Sequence, residues 1–138
     1  MDVNSIQNVF KNTIKNQYVD IEKFKQIFNS SKVRFVSIDN LFPIELSEYL
    51  ENLFPEPSIK SDLKSKNYQI GKHIISKDSG NLDLLDVSLI KMLECFKSQY
   101  FVDFIKEITD IQDLLPDHDD WGAGIHQTTK GGFLKRHI

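Results

Sequence analysis

The first thirty residues carry apolar side chains at spacings of three and four, which is the pattern of one helix face. These positions are Ile6, Val9, Phe10, Ile14, Ile21, Phe24, Ile27 and Phe28. The spacing predicts two helices within residues 4–29, divided near residues 17–20. Because Asn and Asp cap first turns well, we expect Asn4 and Asp20 to begin these helices.

Two later regions have the same helical spacing. Pro43 suits the first position of a helix over residues 43–54. Residues 83–109 hold the longest helical pattern, with Ser98 as a cap between its two runs. The predicted core residues of this long pattern are Leu89, Leu93, Phe101, Phe104 and Ile105.

Runs of β-branched and aromatic residues predict strands near residues 33–38, 67–75, 122–129 and 133–138. Lys130-Gly131-Gly132 is typical of a tight turn, so the last two runs predict a β-hairpin. Residues 58–66 are polar and predict a loop. Together these patterns predict an α+β fold in which the helices pack on the strands.

Composition narrows the class of protein. Of the 138 residues, 40% are apolar and 27% charged, which is globular composition. The net charge of −3 gives no overall basic field, so we expect no nucleic-acid partner. A single Cys, no secretory pattern and no apolar stretch of about 18 residues predict a cytoplasmic protein without membrane attachment.

Several kinds of chemistry lack support in the sequence. Cys95 lies inside a helical apolar pattern, which favours a buried, unreactive thiol. No nucleophile elbow, phosphate-binding glycine motif or paired zinc-ligand spacing is present. The acidic run lacks the Gly and terminal Glu of a calcium loop, and it predicts a solvated loop; its residues are Asp113, Asp117, Asp119 and Asp120.

The C-terminal segment carries the remaining candidate chemistry. A histidine, His137, stands near the end of a predicted strand, after Gly131-Gly132 and the apolar pair Phe133-Leu134. This arrangement resembles the first metal-binding strand of the Fe(II)/2-oxoglutarate-dependent dioxygenases, in their prolyl 4-hydroxylase-like branch. The likeness covers residues 33–138 and is strongest from residue 98 onward. Residues 1–32 are then a helical extension of a single domain over residues 1–138.

The resemblance implies a double-stranded β-helix, or jelly roll, of which this chain holds the start. It implies an enzyme that oxidises a substrate C–H bond while 2-oxoglutarate is decarboxylated to succinate. Fe(II), 2-oxoglutarate and O₂ are the implied cofactor and cosubstrates, and ascorbate is a further cofactor candidate. The substrate is a small molecule or a peptidyl side chain, which the pattern does not identify.

Three residues are assigned to the site by the resemblance. His137 falls on the first metal ligand. Thr128 falls where prolyl hydroxylases often place a tyrosine that contacts the keto acid. His126 lies two residues before Thr128 and therefore on the same face of a strand, so both are candidate cosubstrate-binding residues. Strand alternation also predicts that Phe133 and Lys135 share the face of His137. No catalytic acid or base is assigned.

The family's metal-binding aspartate, distal histidine and basic keto-acid partner have no counterparts in this sequence. We therefore expect the chain to be the N-terminal part of a longer enzyme and to be inactive by itself. Two alternatives remain. The chain is a small non-catalytic α+β binding module, with Trp121 and the acidic loop as its contact surface, or it is a subunit that completes its sheet with a strand of another chain.

Overall fold

The computed structural model describes residues 2–56, 62–66, 69–77, 80–119 and 124–136. The fold is mixed α+β, as the sequence predicts. The chain divides into two compact units. The helical unit comprises Met1–Asn52 and Val87–Asp117, and the sheet unit comprises Leu53–Asp86 and His118–Ile138. The predicted jelly roll, the packing of helices on strands and the single domain stay predictions.

The helical unit contains α1 (Val3–Gln17), α2 (Ile21–Ser30), α3 (Ile44–Glu51), α4 (Val87–Phe96) and α5 (Gln99–Thr109). A short 3₁₀ turn, Tyr18–Asp20, separates α1 from α2 at the predicted division. Ser98 separates α4 from α5, also as predicted. No helix in these described ranges is long and apolar enough to cross a bilayer.

The helix starts differ in detail from the prediction. Asn4 lies inside α1, because Asp2 holds the N-cap position. Asp20 does hold the N-cap position of α2, although its side chain makes no capping hydrogen bond. Pro43 precedes α3 as its N-cap, where its carbonyl oxygen accepts hydrogen bonds from the amides of Leu46 and Ser47. The Pro43 carbonyl therefore pairs with two amides near the start of α3.

An aromatic cluster forms the centre of the helical unit. Phe10 of α1 is fully buried, and its ring lies 5.4 Å from Phe42 and 5.4 Å from Phe96, between ring centroids. Tyr100 and Phe101 of α5 approach it at 5.8 and 5.7 Å. One side chain of α1 therefore contacts the segment before α3, the end of α4 and the start of α5.

A second contact joins α2 to α5. Phe104 is fully buried, and its ring lies 5.3 Å from Tyr18 and 6.4 Å from Phe24. At the edge of this contact, Lys25 Nζ lies 3.2 Å from a carboxylate oxygen of Glu107. The predicted burial of Phe104 and Leu89 is confirmed; the other predicted core residues are half-buried, namely Leu93, Phe101 and Ile105.

The sheet unit contains three antiparallel strands in the order β1 (Asp62–Lys66), β2 (Gln69–Ile75), β3 (Ile125–Leu134). The prediction of β2 is confirmed. The prediction of a loop over residues 58–66 is wrong for β1, which pairs with β2 despite its polar sequence. Polar composition argued against a strand, but strands at the edge of a sheet accept charged residues.

The predicted strand at residues 33–38 is wrong. Residues 34–38 have no regular hydrogen-bonding pattern, and no backbone hydrogen bond joins residues 32–38 to the rest of the described chain. A strand needs a partner as well as suitable residues, because its backbone groups bond only across to a neighbour. The residue types at positions 33–38 suit a strand, but the sequence does not show whether a neighbouring strand is there to pair with them.

The predicted hairpin over residues 122–138 is also wrong, because residues 125–134 form one strand. Ile70 pairs with Phe133, and Lys72 pairs with Thr128. Between these two pairs the chain advances two residues along β2 and five along β3, so β3 has three extra residues here. Gly131, with φ of +83°, lies within this excess, and Gly71, with φ of +67°, lies opposite it. Gly131 and Gly132 therefore belong to a β-bulge and not to a hairpin turn.

We predict that Phe10→Ala destabilises the helical unit by about 3–5 kcal/mol, because it removes a fully buried ring at the centre of the cluster. Val19→Ala is the matched control, since Val19 is 88% exposed and should change the free energy of unfolding by less than about 0.5 kcal/mol. Urea titration followed by circular dichroism measures both. Equal effects would contradict the central role of Phe10.

We predict that Gly71→Ala destabilises the sheet unit more than Gly80→Ala. Both glycines have positive φ, so both substitutions strain the backbone by about 1–3 kcal/mol. A Cβ at residue 71 would also lie 2.5 Å from Thr129 Oγ1, whereas one at residue 80 meets nothing within 4 Å. Thermal unfolding of both variants measures the difference, and a Gly80 variant that unfolds earlier would contradict the bulge assignment.

Candidate functional site

Two of the three predicted site residues, His126 and Thr128, lie in the first half of β3. Both side chains are exposed, in alternation with their half-buried neighbours along the strand. Their predicted placement on one strand face is confirmed. His137 lies outside the described residues, so its predicted position on the face of Phe133 and Lys135 stays a prediction.

The strand register adds two residues of β2 to this face. Lys72 pairs directly with Thr128, and Ile74 pairs directly with His126. Paired residues of antiparallel strands project to the same side of the sheet. Lys72, Ile74, His126 and Thr128 therefore form one surface, which we call the candidate face.

The opposite side of the same strands is more enclosed. Ile75 is 3% exposed and pairs with Ile125. Gln127, which lies between His126 and Thr128, donates a hydrogen bond from Nε2 to the carbonyl oxygen of Pro55 at 2.9 Å. This bond ties one side of β3 to residue 55 and leaves the candidate face accessible.

The bulge fixes where the candidate face ends. Thr129 Oγ1 donates to the carbonyl oxygen of Gly71 at 3.3 Å, directly beside the Lys72–Thr128 pair. At the other end of the strand, a Cβ on Gly124 would collide with the Ile75 carbonyl oxygen and the side chain of Ser76. Close backbone approach at both ends therefore holds the register that brings His126 and Thr128 opposite β2.

The electrostatics of the candidate face keep its imidazole neutral. Partial burial lowers the pKa of His126 below its ordinary value, and the nearby positive charge of Lys72 lowers that pKa further. At neutral pH His126 thus has one ring nitrogen as donor and the other as acceptor. A lysine ammonium has three donors and no acceptor.

A cation, a hydroxyl and a neutral imidazole on one surface suit a carboxylate ligand. An ammonium forms charge-assisted hydrogen bonds with carboxylate oxygens, and these are stronger than bonds between neutral groups. The Thr128 hydroxyl and one imidazole nitrogen of His126 can donate alongside it. The candidate face can therefore recognise an anionic oxygen group, with Ile74 as its apolar part.

The described residues do not by themselves make an iron site. Nowhere in the described ranges do three His, Cys, Asp or Glu side chains come together as a metal would require. His126 has Lys72 near it, and a positive charge opposes a metal cation. On this face the fit is to a carboxylate and not to Fe(II), so no chemical step is assigned to iron here.

The predicted burial of Cys95 is confirmed. It is 2% exposed inside α4, and burial raises the pKa of its thiol. The reactive thiolate is therefore disfavoured. Tyr100 lies next to it in the helical unit, and burial raises the pKa of its phenol as well.

Comparison with known proteins adds no identification. The chain matches no family model, and neither the curated proteins nor the solved structures include one with significant similarity to it. The dioxygenase resemblance therefore depends on the C-terminal residues quoted from the sequence.

Lys72 is the charged residue of the candidate face that sequence reasoning missed. It lies 54 positions before His126, and only the register between β2 and β3 brings the two together. The signal available in the sequence was a lysine, Lys72, two positions from a β-branched residue on each side, Ile70 and Ile74. Alternation could place Lys72 on a face but could not name its partners.

We predict that Lys72→Met raises the pKa of His126. The lysine charge opposes protonation of the imidazole, so its removal lets His126 take up a proton at higher pH. Lys77→Met is the matched control, because Lys77 is another lysine of the sheet unit whose charge does not perturb His126. A proton NMR titration of the imidazole Cε1–H signal measures both, and an unchanged or lowered pKa in Lys72→Met would contradict the proposed proximity.

Proposed function

We propose that this chain forms part of an Fe(II)- and 2-oxoglutarate-dependent dioxygenase and that its candidate face binds the keto acid. In the proposed reaction one oxygen atom of O₂ enters the substrate C–H bond as a hydroxyl group. The other enters succinate as 2-oxoglutarate loses CO₂. The observation that carries the proposal is the placement of Lys72 beside Thr128 and His126 on one accessible strand face.

The charge of the cosubstrate supports this role. 2-Oxoglutarate has two carboxylates, and a protein site that holds it needs a fixed cation with flanking hydrogen-bond donors. Lys72 supplies the cation, and Thr128 and His126 supply the donors. The resemblance alone gave this chain no basic partner for the keto acid, so Lys72 takes a role that the family pattern left empty.

The metal-binding part of the proposal depends on the resemblance to the dioxygenases. It assigns His137 as one ligand of a two-histidine-one-carboxylate site, a set typical of iron oxygenases with open coordination positions. His137 follows the end of β3 by three residues. The other two ligands have no counterpart among these 138 residues.

A second candidate function is a non-catalytic binding module for a carboxylate-bearing ligand. The same face favours it, because all of its polar groups are suited to binding and the described residues bring together no metal-binding set. The two functions share the ligand chemistry of the face. They differ in whether Fe(II) is required for binding and whether the keto acid is consumed.

We predict that substitutions of the metal ligand and of the carboxylate-binding lysine have separate effects, measured in a version of the protein that continues past residue 138. Anaerobic titration with Fe(II) and 2-oxoglutarate should produce the weak visible absorption band of an iron–keto-acid chelate. His137→Ala should abolish the band, because the metal loses a ligand. Lys72→Met should keep the band and raise the half-saturating 2-oxoglutarate concentration at least tenfold, because only the carboxylate partner is lost.

Lys77→Met is again the control and should match the unaltered protein. The 138-residue chain should bind Fe(II) weakly and should not decarboxylate 2-oxoglutarate, since one imidazole does not retain the metal. A band that survives His137→Ala would remove His137 as a ligand. Binding of 2-oxoglutarate that needs Lys72 but neither iron nor His137 would favour the binding module.

A further inference from the structure

A polar cavity lies in the helical unit and shares no residue with the candidate face. It has a volume of about 400 Å³. The end of α1, the start of α2 and the segment before α3 line it, with side chains that include Asp20, Lys23, Phe24, Ile27, Ser37 and Asp39. Pockets for whole small molecules measure about 300–1,000 Å³, so the cavity is large enough for a free small ligand.

One side chain ties two walls of this cavity together. Gln17 Nε2, at the end of α1, donates hydrogen bonds to the carbonyl oxygens of Asp39 and Asn40 at 3.4 and 3.3 Å. Asn40 has a φ of +54°, in the left-handed region that Asn tolerates better than most residues. The turn at residues 39–40 is therefore joined to α1 before any ligand binds, which lowers the entropy cost of binding.

Three charged side chains line the cavity without a partner in the described part of the chain. Asp20, Lys23 and Asp39 make no hydrogen bond or ion pair with any group that the structure describes. Lys25, also on α2, is by contrast paired with Glu22, with 3.2 Å between Nζ and a carboxylate oxygen. Both signs of charge in the cavity are therefore available to a ligand.

The lining suits an organic ion better than a metal ion. Its carboxylates are Asp20 and Asp39, and nowhere in the described ranges do three His, Cys, Asp or Glu side chains come together around a metal position. Lys23 adds a positive charge that opposes a metal cation. An ammonium group needs only acceptors and negative charge, which the two carboxylates supply through charge-assisted hydrogen bonds.

The other lining residues define the rest of the ligand. The ammonium of Lys23 can bind a carboxylate, and the hydroxyl of Ser37 can donate or accept beside it. Phe24 and Ile27 form the apolar part of the lining, and Ile27 is 36% exposed. A ligand that uses the whole lining therefore combines an ammonium, a carboxylate and an apolar group.

We propose that this cavity binds a free amino acid with an apolar side chain. Asp20 and Asp39 hold the ammonium group, and Lys23 holds the carboxylate. Phe24 and Ile27 contact the apolar side chain. A simple amine would leave Lys23 without a partner, and a simple carboxylate would leave both aspartates without one, so neither complements the cavity as well as the zwitterion.

Binding of L-leucine and two of its derivatives tests the ligand class. L-Leucine added to the ¹⁵N-labelled chain should shift the amide signals of Lys23 and Asn40. L-Leucine methyl ester lacks the carboxylate, and N-acetyl-L-leucine lacks the ammonium. Each should bind at least tenfold more weakly, because one charge-assisted contact is lost. No shift at millimolar L-leucine, or either derivative binding as tightly as L-leucine, would overturn the proposal.

Substitutions in the cavity test the residue roles by the same titration. Asp39→Asn and Lys23→Met should each weaken L-leucine binding at least tenfold. In Lys23→Met, L-leucine and its methyl ester should bind with similar affinity, because the carboxylate has lost its partner. Asp113→Asn and Lys11→Met are the matched controls, since these charged residues of the helical unit do not line the cavity.

All four substituted positions are exposed, so circular dichroism should show that each variant is folded. The two control variants should bind L-leucine like the unaltered chain. Unchanged binding in Asp39→Asn or Lys23→Met would overturn the proposal, and so would a preference for L-leucine over its ester that persists in Lys23→Met. None of these measurements involves Fe(II) or 2-oxoglutarate, so their outcome is independent of the proposed dioxygenase function.

Discussion

The helical unit depends on the burial of one aromatic side chain, Phe10. Its ring contacts residues from the segment before α3, from α4 and from α5, which are distant in sequence. Each such aromatic pair contributes about 0.5–1.5 kcal/mol beyond area burial, and all of them share one ring. The placement of α4 and α5 therefore follows from the position of α1.

The sheet unit depends instead on register. A shift of one residue between β2 and β3 would turn His126 and Thr128 to the enclosed side. Three features oppose this shift: the three extra residues of β3, the positive φ of Gly71 and the hydrogen bond from Thr129 to the Gly71 carbonyl. Lys72 is a member of the candidate face only because these constraints hold.

The candidate face has a charge preference that the composition conceals. It presents a lysine with neutral donors and suits an anionic ligand. The net charge of the chain is −3, because composition averages charges that the fold separates.

The sequence by itself determined the helices, because their apolar spacing, their division near residues 17–20 and the break at Ser98 are local properties. It also determined the shared face of His126 and Thr128, since alternation needs only the strand. Only the tertiary structure decided the pairing. It left residues 33–38 without a strand partner, made β1 from a polar segment, replaced the hairpin with a bulge and brought Lys72 to the candidate face. Strand pairing joins residues far apart in the chain, and no local pattern specifies which partner a strand meets.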